Sequence, residues 1–276
     1  MINNHVKCHP IGRSLQMELQ PVSIGSVLGM MFSLVVSFGL PIGLFVYLWR
    51  KKKASFFSFA TGLLIFLFFA LFLESMVHSV VLGSTGTLIT GNIFLYALYG
   101  ALMAALFEET GRFLGMKYIM RNQLTKENAW MYGVGHGGIE AMFLLGITSI
   151  NNLVNATMIN NGSMNGILVG LDQASREAAV QGLSVLWQTP ASLFFAAGFE
   201  RIIAICLQIS LSILIYQAVK EKSGRWYGAA FGVHFVVDFA AVLLANVSVA
   251  VAEVVMAVMT AAVAWYAAKM YRAMKE

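Results

Sequence analysis

Charge is scarce in this chain. Asp, Glu, Lys and Arg make up 11% of its 276 residues, against ~25% in an average soluble domain. So few charges cannot cover a water-facing surface, which excludes a soluble globular enzyme, a disordered chain and a basic nucleic-acid-binding domain. Cysteine and proline are scarcer still, with two and four. Cys8 and Cys206 lie far apart, one in a polar tail and one in an apolar run, and cannot form a disulfide framework. None of Pro10, Pro21, Pro41 and Pro190 falls within the polar motifs described below. What the chain does have is apolar: 59% hydrophobic residues and a mean hydropathy of +0.75. That composition predicts an all-α, polytopic bundle of membrane helices, each needing ~20 mainly apolar residues.

Apolar stretches fall at about 22–49, 56–82, 91–119, 129–153, 190–219, 226–246 and 248–268, which predicts seven spans. Residues 1–21 form a polar tail ahead of a first run too long for a signal peptide. Residues 22–276 then make one transmembrane bundle, with a polar-rich core over about 91–246. The segment 154–189 reads either as an ordered external loop or as an interfacial helix lying on the membrane.

Orientation follows from the basic residues. Alternate links carry Arg50, Lys51, Lys52 and Lys53, then Lys117, Arg121 and Lys126, then Lys220, Lys222 and Arg225; Lys269, Arg272 and Lys275 complete the set. These are thirteen of the eighteen Lys and Arg. The other side holds Lys7, Arg13 and Arg176. Since Lys and Arg stay cytoplasmic, the N-terminus is expected outside and the C-terminus inside.

The informative residues are those that lipid should exclude. Glu74, Glu108, Glu109, Glu140, Glu200 and Asp238 fall within spans, as do His78, His136, His234, Arg112 and Arg201. A charge at a helix centre costs ~2.5–3.5 kcal/mol on insertion scales and by default marks function. Their spacing repeats: Glu108 with Arg112, His136 with Glu140, and His234 with Asp238 each stand four apart, on one helical face. Glu74 and His78 repeat it in the second span and read as a structural bond. Glycines at 133, 135, 137 and 138 permit close helix approach around His136. Histidine and carboxylate side chains converging from three helices supply either a divalent-metal site with an open position for water or a glutamate base for direct water activation.

At these residues the chain resembles the type II CAAX and bacteriocin-processing (ABI) intramembrane proteases, and more narrowly the YhfC family. The superfamily pattern is a double glutamate followed by a basic residue, then aromatic-x-x-x-His, then His-x-x-x-Asp or Asn. Here it reads Glu108-Glu109-x-x-Arg112, Tyr132-x-x-x-His136 and His234-x-x-x-Asp238. Gly-His-Gly-Gly-Ile-Glu around His136 and Phe199-Glu200-Arg201 are the YhfC-like details. The resemblance implies an intramembrane peptide hydrolase of the bacterial plasma membrane acting on a membrane-associated peptide or protein. Glu108 with His136 would activate water, directly or through a metal, and His234 with Asp238 would bind the metal or stabilise the oxyanion. Glu109 and Arg112 would support them, with Glu200 and Arg201 as an ion pair beside the site. His136, Glu140, His234 and Asp238 are the implied ligands of a divalent metal, zinc first. Related PrsW-like proteases use a glutamate in the second motif, so His136 and Glu140 compete for one role.

Two other classes stay open from the residues alone. A proton-coupled transporter would use the same carboxylates and histidines as an ion relay, and a scaffold or immunity protein would keep them as structure. Membrane lipid is the expected partner, and nucleic acid is not. Gln208, two turns from Glu200, reads as an interhelical hydrogen bond.

Overall fold

The computed structural model describes residues 18–274. Cys8, Lys7, Arg13, Pro10, Lys275 and the first seventeen residues of the polar tail lie outside the described residues.

Seven helices are long and apolar enough to cross a membrane: span 1 (Ile24–Lys52), span 2 (Phe56–Thr85), span 3 (Ile93–Ile119), span 4 (Lys126–Asn160), span 5 (Ala191–Lys220), span 6 (Gly224–Ala245) and span 7 (Val249–Ala273). Among the described residues there is no strand, as expected where a lipid-exposed backbone must satisfy its own hydrogen bonds. The helices begin where the sequence caps them. Ser23, Asn92, Thr125 and Ser248 each accept a hydrogen bond from a first-turn backbone N–H of spans 1, 3, 4 and 7.

Span 5 is the axis of the bundle. Of its most apolar window 61% is buried, against 17–33% for the other spans. It packs against spans 1, 4 and 7, while span 4 also lies on spans 1 and 2, and span 3 on span 6. Two contacts tie the ends together. Lys126 Nζ donates to Met274 O at 2.9 Å, joining the start of span 4 to the end of span 7. Asn160 Nδ2 donates to Val22 O at 3.0 Å and its Oδ1 accepts from Val22 N at 2.8 Å, joining the other end of span 4 to the start of span 1. At the end rich in basic residues, lysines lie over aromatic rings, among them Lys117 over Tyr118 and Lys269 over Trp265. Such pairs suit a membrane–water interface.

Span 4 continues to Asn160, seven residues past the apolar run, because the polar turns after Asn151 stay helical and Asn160 anchors on Val22. The rest of 154–189 is ordered and mostly helical. It is three short helices, Ser163–Val169, Gln173–Leu183 and Val185–Gln188, the second capped by Asp172. Their Met164, Leu168, Val180 and Leu186 bury against Val22, Met30, Ala156 and Ile159. The segment is therefore a packed cap over the ends of spans 1 and 4.

Close approach is built into span 4. A Cβ on Gly135 would stand 2.1 Å from Phe59 O, and one on Gly62 of span 2 would stand 2.1 Å from Tyr132 O. Each glycine thus admits the backbone of the facing helix. On the other flank, a Cβ on Gly133 would meet Ile209 Cα at 2.7 Å. Pro41, buried within span 1, lies against Gly138, where an added Cβ would be 2.7 Å from Pro41 Cβ. This proline therefore packs directly on the helix that carries the second motif, although it is distant from it in sequence.

Candidate functional site

Spans 3, 4, 5 and 6 bring their polar residues to one depth. Glu108, Glu109, Arg112, His136, Gln208 and His234 are all buried. π-helical turns at Leu67–Glu74, Gly115–Ile119 and Met142–Gly146 adjoin Glu74, Arg112 and Glu140. Such widened turns recur at functional sites, and here they let long polar side chains share a depth without breaking the helices.

The centre of the network is Arg112, which is fully buried. Its Nη1 donates to Gln208 O and to Ser212 Oγ, both at 2.7 Å, and its Nη2 donates to Gln208 Oε1. Its Nε stands 3.2 Å from Glu109 Oε2, whereas Glu108 Oε2 is 4.0 Å from Nη2. The tight partner is thus the glutamate three residues back rather than the one four back that the face-sharing pattern predicts.

Glu109 and Glu108 look in different directions. Glu109 Oε1 accepts from His234 Nδ1 at 2.9 Å, which with Arg112 closes it off entirely. Glu108 Oε2 lies 2.9 Å from His136 Nε2 and accepts from Gln208 Nε2 at 2.9 Å. His234 Nε2 is 4.0 Å from the same oxygen and 3.3 Å from Asp238 Oδ2. Phe66 meets the His136 ring edge-on at 5.1 Å between centroids, and Tyr132 stacks on it at 6.0 Å. His136 is held by aromatic rings on one side and by Glu108 on the other.

The expected stack of His136 on Glu140 is replaced by contacts between helices. Glu140 Oε2 accepts from Gln208 Nε2 at 2.8 Å, and Glu140 Oε1 accepts from Arg201 Nη1 at 3.2 Å. Arg201 Nη2 also donates to Glu200. Glu200 and Arg201 lie a third of the way along span 5, and they join the site through Glu140. His234 and Asp238 are bonded four apart as expected, and so are His78 and Glu74, at 3.1 Å. The latter pair continues to Tyr99 OH, 2.9 Å from His78 Nδ1.

A cavity of about 120 Å³ opens beside Glu108, His234 and Asp238. Glu140, Glu200, Arg201 and Gln208 form its polar side. Among the described residues, no group of three or more His, Cys, Asp or Glu side chains is arranged to hold a metal ion. The donors instead close on one another through the hydrogen bonds above.

Several residues stand in this site without having been singled out for it from sequence. Gln208 touches Arg112, Glu108 and Glu140, yet a neutral amide in an apolar run gives no signal stronger than a helix contact. Glu253, on span 7, is an acid in an apolar run and carried the same signal as the six above; its Oε2 is buried without a hydrogen bond. Met256 and Thr260, on the same helix, line the cavity.

The family model described as YhfC intramembrane metalloprotease matches residues 36–261. The uncharacterized membrane protein YhfC of Bacillus subtilis (strain 168) is 38% identical over 203 residues, which are 73% of this chain and 78% of that protein. No solved structure matches. With seven membrane-length helices, the chain is an integral, multi-pass membrane protein.

Proposed function

Since the chain belongs to the YhfC family, we propose that it is a peptide hydrolase working within the bilayer, on a peptide or protein held in the membrane. The observation that carries this reading is Glu108. Its carboxylate faces the cavity and contacts His136 at 2.9 Å, while its neighbour Glu109 is locked into an ion pair. Glu108, oriented by His136, takes a proton from the attacking water as the water oxygen bonds to the scissile carbonyl carbon, and returns that proton to the leaving nitrogen as the C–N bond breaks. A positioned acid or base of this kind contributes ~10²–10⁴-fold. His234, on the cavity wall and oriented by Glu109 and Asp238, stabilises the oxyanion of the tetrahedral intermediate. Arg112, held by Gln208 and Ser212, fixes the depth of Glu109 and through it His234. In this reading His136, and not Glu140, fills the second-motif role, because Glu140 is engaged by Arg201 and Gln208. The wider kinship with the CAAX-type and PrsW-like proteases, a catalytic core over about 91–246 and an external N-terminus belong to the same proposal.

The family description implies a metal. The donor types, two imidazoles and two carboxylates, are those a divalent ion such as zinc takes, although among the described residues no group of three is arranged to hold one. Glu108, His136, His234 and Asp238 are the residues that would hold it, once their mutual hydrogen bonds open. Held by these residues, a divalent ion would supply Lewis-acid polarisation of the carbonyl and a lowered pKa for its bound water.

The test is cleavage of a single-span peptide by the purified, reconstituted chain, with Glu108→Ala and His136→Ala compared alongside. Cleavage by the wild type and loss in both variants is expected. Equal cleavage by all three sinks the reading. Metal analysis of the purified protein beside Glu108 and His234 variants separates the metal-assisted route from the glutamate route.

A further inference from the structure

Every charged group lining the cavity is engaged by another group of the protein. Glu108 is held by His136 and Gln208, Glu140 and Glu200 by Arg201, and Asp238 by His234. One polar atom of a lining residue is not. Thr260 Oγ1 is buried and makes no hydrogen bond, although its residue is only 4% exposed and lines the cavity. A helical threonine usually returns its hydroxyl to the carbonyl of the preceding turn, and Thr61, Thr85 and Thr157 of this chain all do so. A buried hydroxyl left unpaired is costly and calls for an explanation at the place where it occurs. Here that place is an opening beside the proposed reacting groups.

The remaining walls are apolar: Ile203, Ala204 and Leu207 of span 5, Val237 and Ala241 of span 6, and Met256 of span 7. Met256 and Thr260 stand four apart, so span 7 presents both to the same space. The volume of about 120 Å³ falls below the ~300 Å³ at which whole-ligand pockets begin. It also falls short of the ~150 Å³ of an apolar cavity that admits one benzene. It therefore takes a single side chain.

We infer that this cavity is the subsite for one uncharged aliphatic side chain of the substrate, flanking the scissile bond, with Met256 limiting its size and Thr260 Oγ1 donating to a substrate carbonyl. The inference rests on the proteolytic reading and adds to it the class of residue cleaved. No charged side chain is admitted, because every lining carboxylate and Arg201 already has a partner. An aromatic side chain exceeds the volume while Met256 stands. Met256 and Thr260 come from span 7, outside the three motif-bearing helices, whereas Val237 and Ala241 share span 6 with His234 and Asp238.

The test uses the full chain in liposomes with a pool of single-span peptides. These have an Ala/Val host and one central residue varied among Gly, Leu, Phe and Lys, with cleavage positions read by mass spectrometry. Wild type is expected to cleave beside Leu and to spare Phe and Lys. Met256→Ala is expected to raise the Phe-to-Leu ratio about tenfold or more, the scale of discrimination that pocket size affords. Ala241→Leu fills the space from the facing helix and is expected to lose Leu cleavage while keeping Gly. Thr260→Val is expected to lower kcat/KM about fivefold, the loss of one hydrogen bond, and Thr260→Ser to restore it. A wild-type profile indifferent to the varied residue overturns the inference, as does an unchanged profile in both Met256→Ala and Ala241→Leu. Absence of any cleavage by wild type overturns the proteolytic reading itself, and the subsite with it.

Discussion

Arg112→Leu is the sharpest probe of how this bundle is held. The guanidinium is fully buried and engages Gln208 O and Ser212 Oγ at 2.7 Å and Glu109 Oε2 at 3.2 Å. Its loss leaves Glu109, also at 0% exposure, facing His234 Nδ1 with its compensating charge gone. Breaking a buried pair from one side costs ~3–5 kcal/mol. A neutral interhelical bond in a membrane protein is worth much less, ~0.6 kcal/mol on average and at most ~1.7. Ser212→Ala removes one acceptor and no charge, so it should fall in that lower range. The double variant Arg112→Leu/Glu109→Leu removes both charges together and should recover part of the loss, since an apolar replacement of a whole buried pair is often tolerated. Equilibrium unfolding of the purified protein in mixed micelles, titrated with a denaturing detergent, reads all three. If Arg112→Leu costs no more than Ser212→Ala, or if the second substitution adds its full independent cost, the charge-centred account is wrong.

Three further outcomes follow from named contacts. Gly135→Ala places a Cβ 2.1 Å from Phe59 O and should destabilise by ~1–3 kcal/mol or more. Gly100→Ala meets nothing within 4 Å and should be neutral or stabilising by up to ~1 kcal/mol; the same unfolding titration compares them. Glu108→Gln should abolish cleavage at near-native stability, whereas Glu109→Gln should lose about as much stability as Arg112→Leu, because it strands the buried cation; activity and unfolding measured on both variants would contradict this if the two behaved alike. Outside the membrane, hydrogen bonds from the Ser175 hydroxyl and backbone N–H hold the Asp172 carboxyl below its usual range. A carboxyl depressed in the folded state stabilises at pH above its unfolded value of ~3.9 and loses that contribution as pH falls. The Ser175 amide resonance should therefore hold its position above about pH 4 and move only below it, and Asp172→Asn should remove the transition.

The seven spans were legible because lipid leaves a helix no alternative to satisfying its own backbone, and a run of apolar residues is the direct record of that demand. The three motifs were legible for the converse reason: Glu108, His136 and His234 are expensive in such runs. Spacing along a helix, however, says which face a side chain shares and not which neighbour it meets. It paired His136 with Glu140 and Glu108 with Arg112. In the fold His136 turns to Glu108, Glu140 to Arg201, and Arg112 to Glu109. The helix arrangement decides those choices, and it depends on backbone approaches such as Gly135 on Phe59 that composition suggests but does not assign. Gln208 makes the interhelical hydrogen bonds its sequence position suggested, to Arg112, Glu108 and Glu140, but an uncharged amide did not disclose that these partners are the site itself. Glu253 did stand out, yet its helix holds none of the three motifs.

The two adjacent glutamates show why a doubled acid is useful in a membrane. Successive residues on a helix point about 100° apart, so Glu108 and Glu109 take different nearest partners. Glu109 turns toward Arg112 and His234, where it neutralises a buried cation and fixes an imidazole. Glu108 turns toward His136, Gln208 and the cavity, with Arg112 Nη2 at 4.0 Å. A lone carboxylate close enough to neutralise Arg112 would be held in that ion pair and kept from the cavity. A lone carboxylate facing the cavity would leave the arginine unpaired at a cost of several kcal/mol. Placing both acids side by side on one helix separates the two tasks by rotation alone. The structural acid is closed off, and the other faces the cavity, where the proposed mechanism has it exchange a proton.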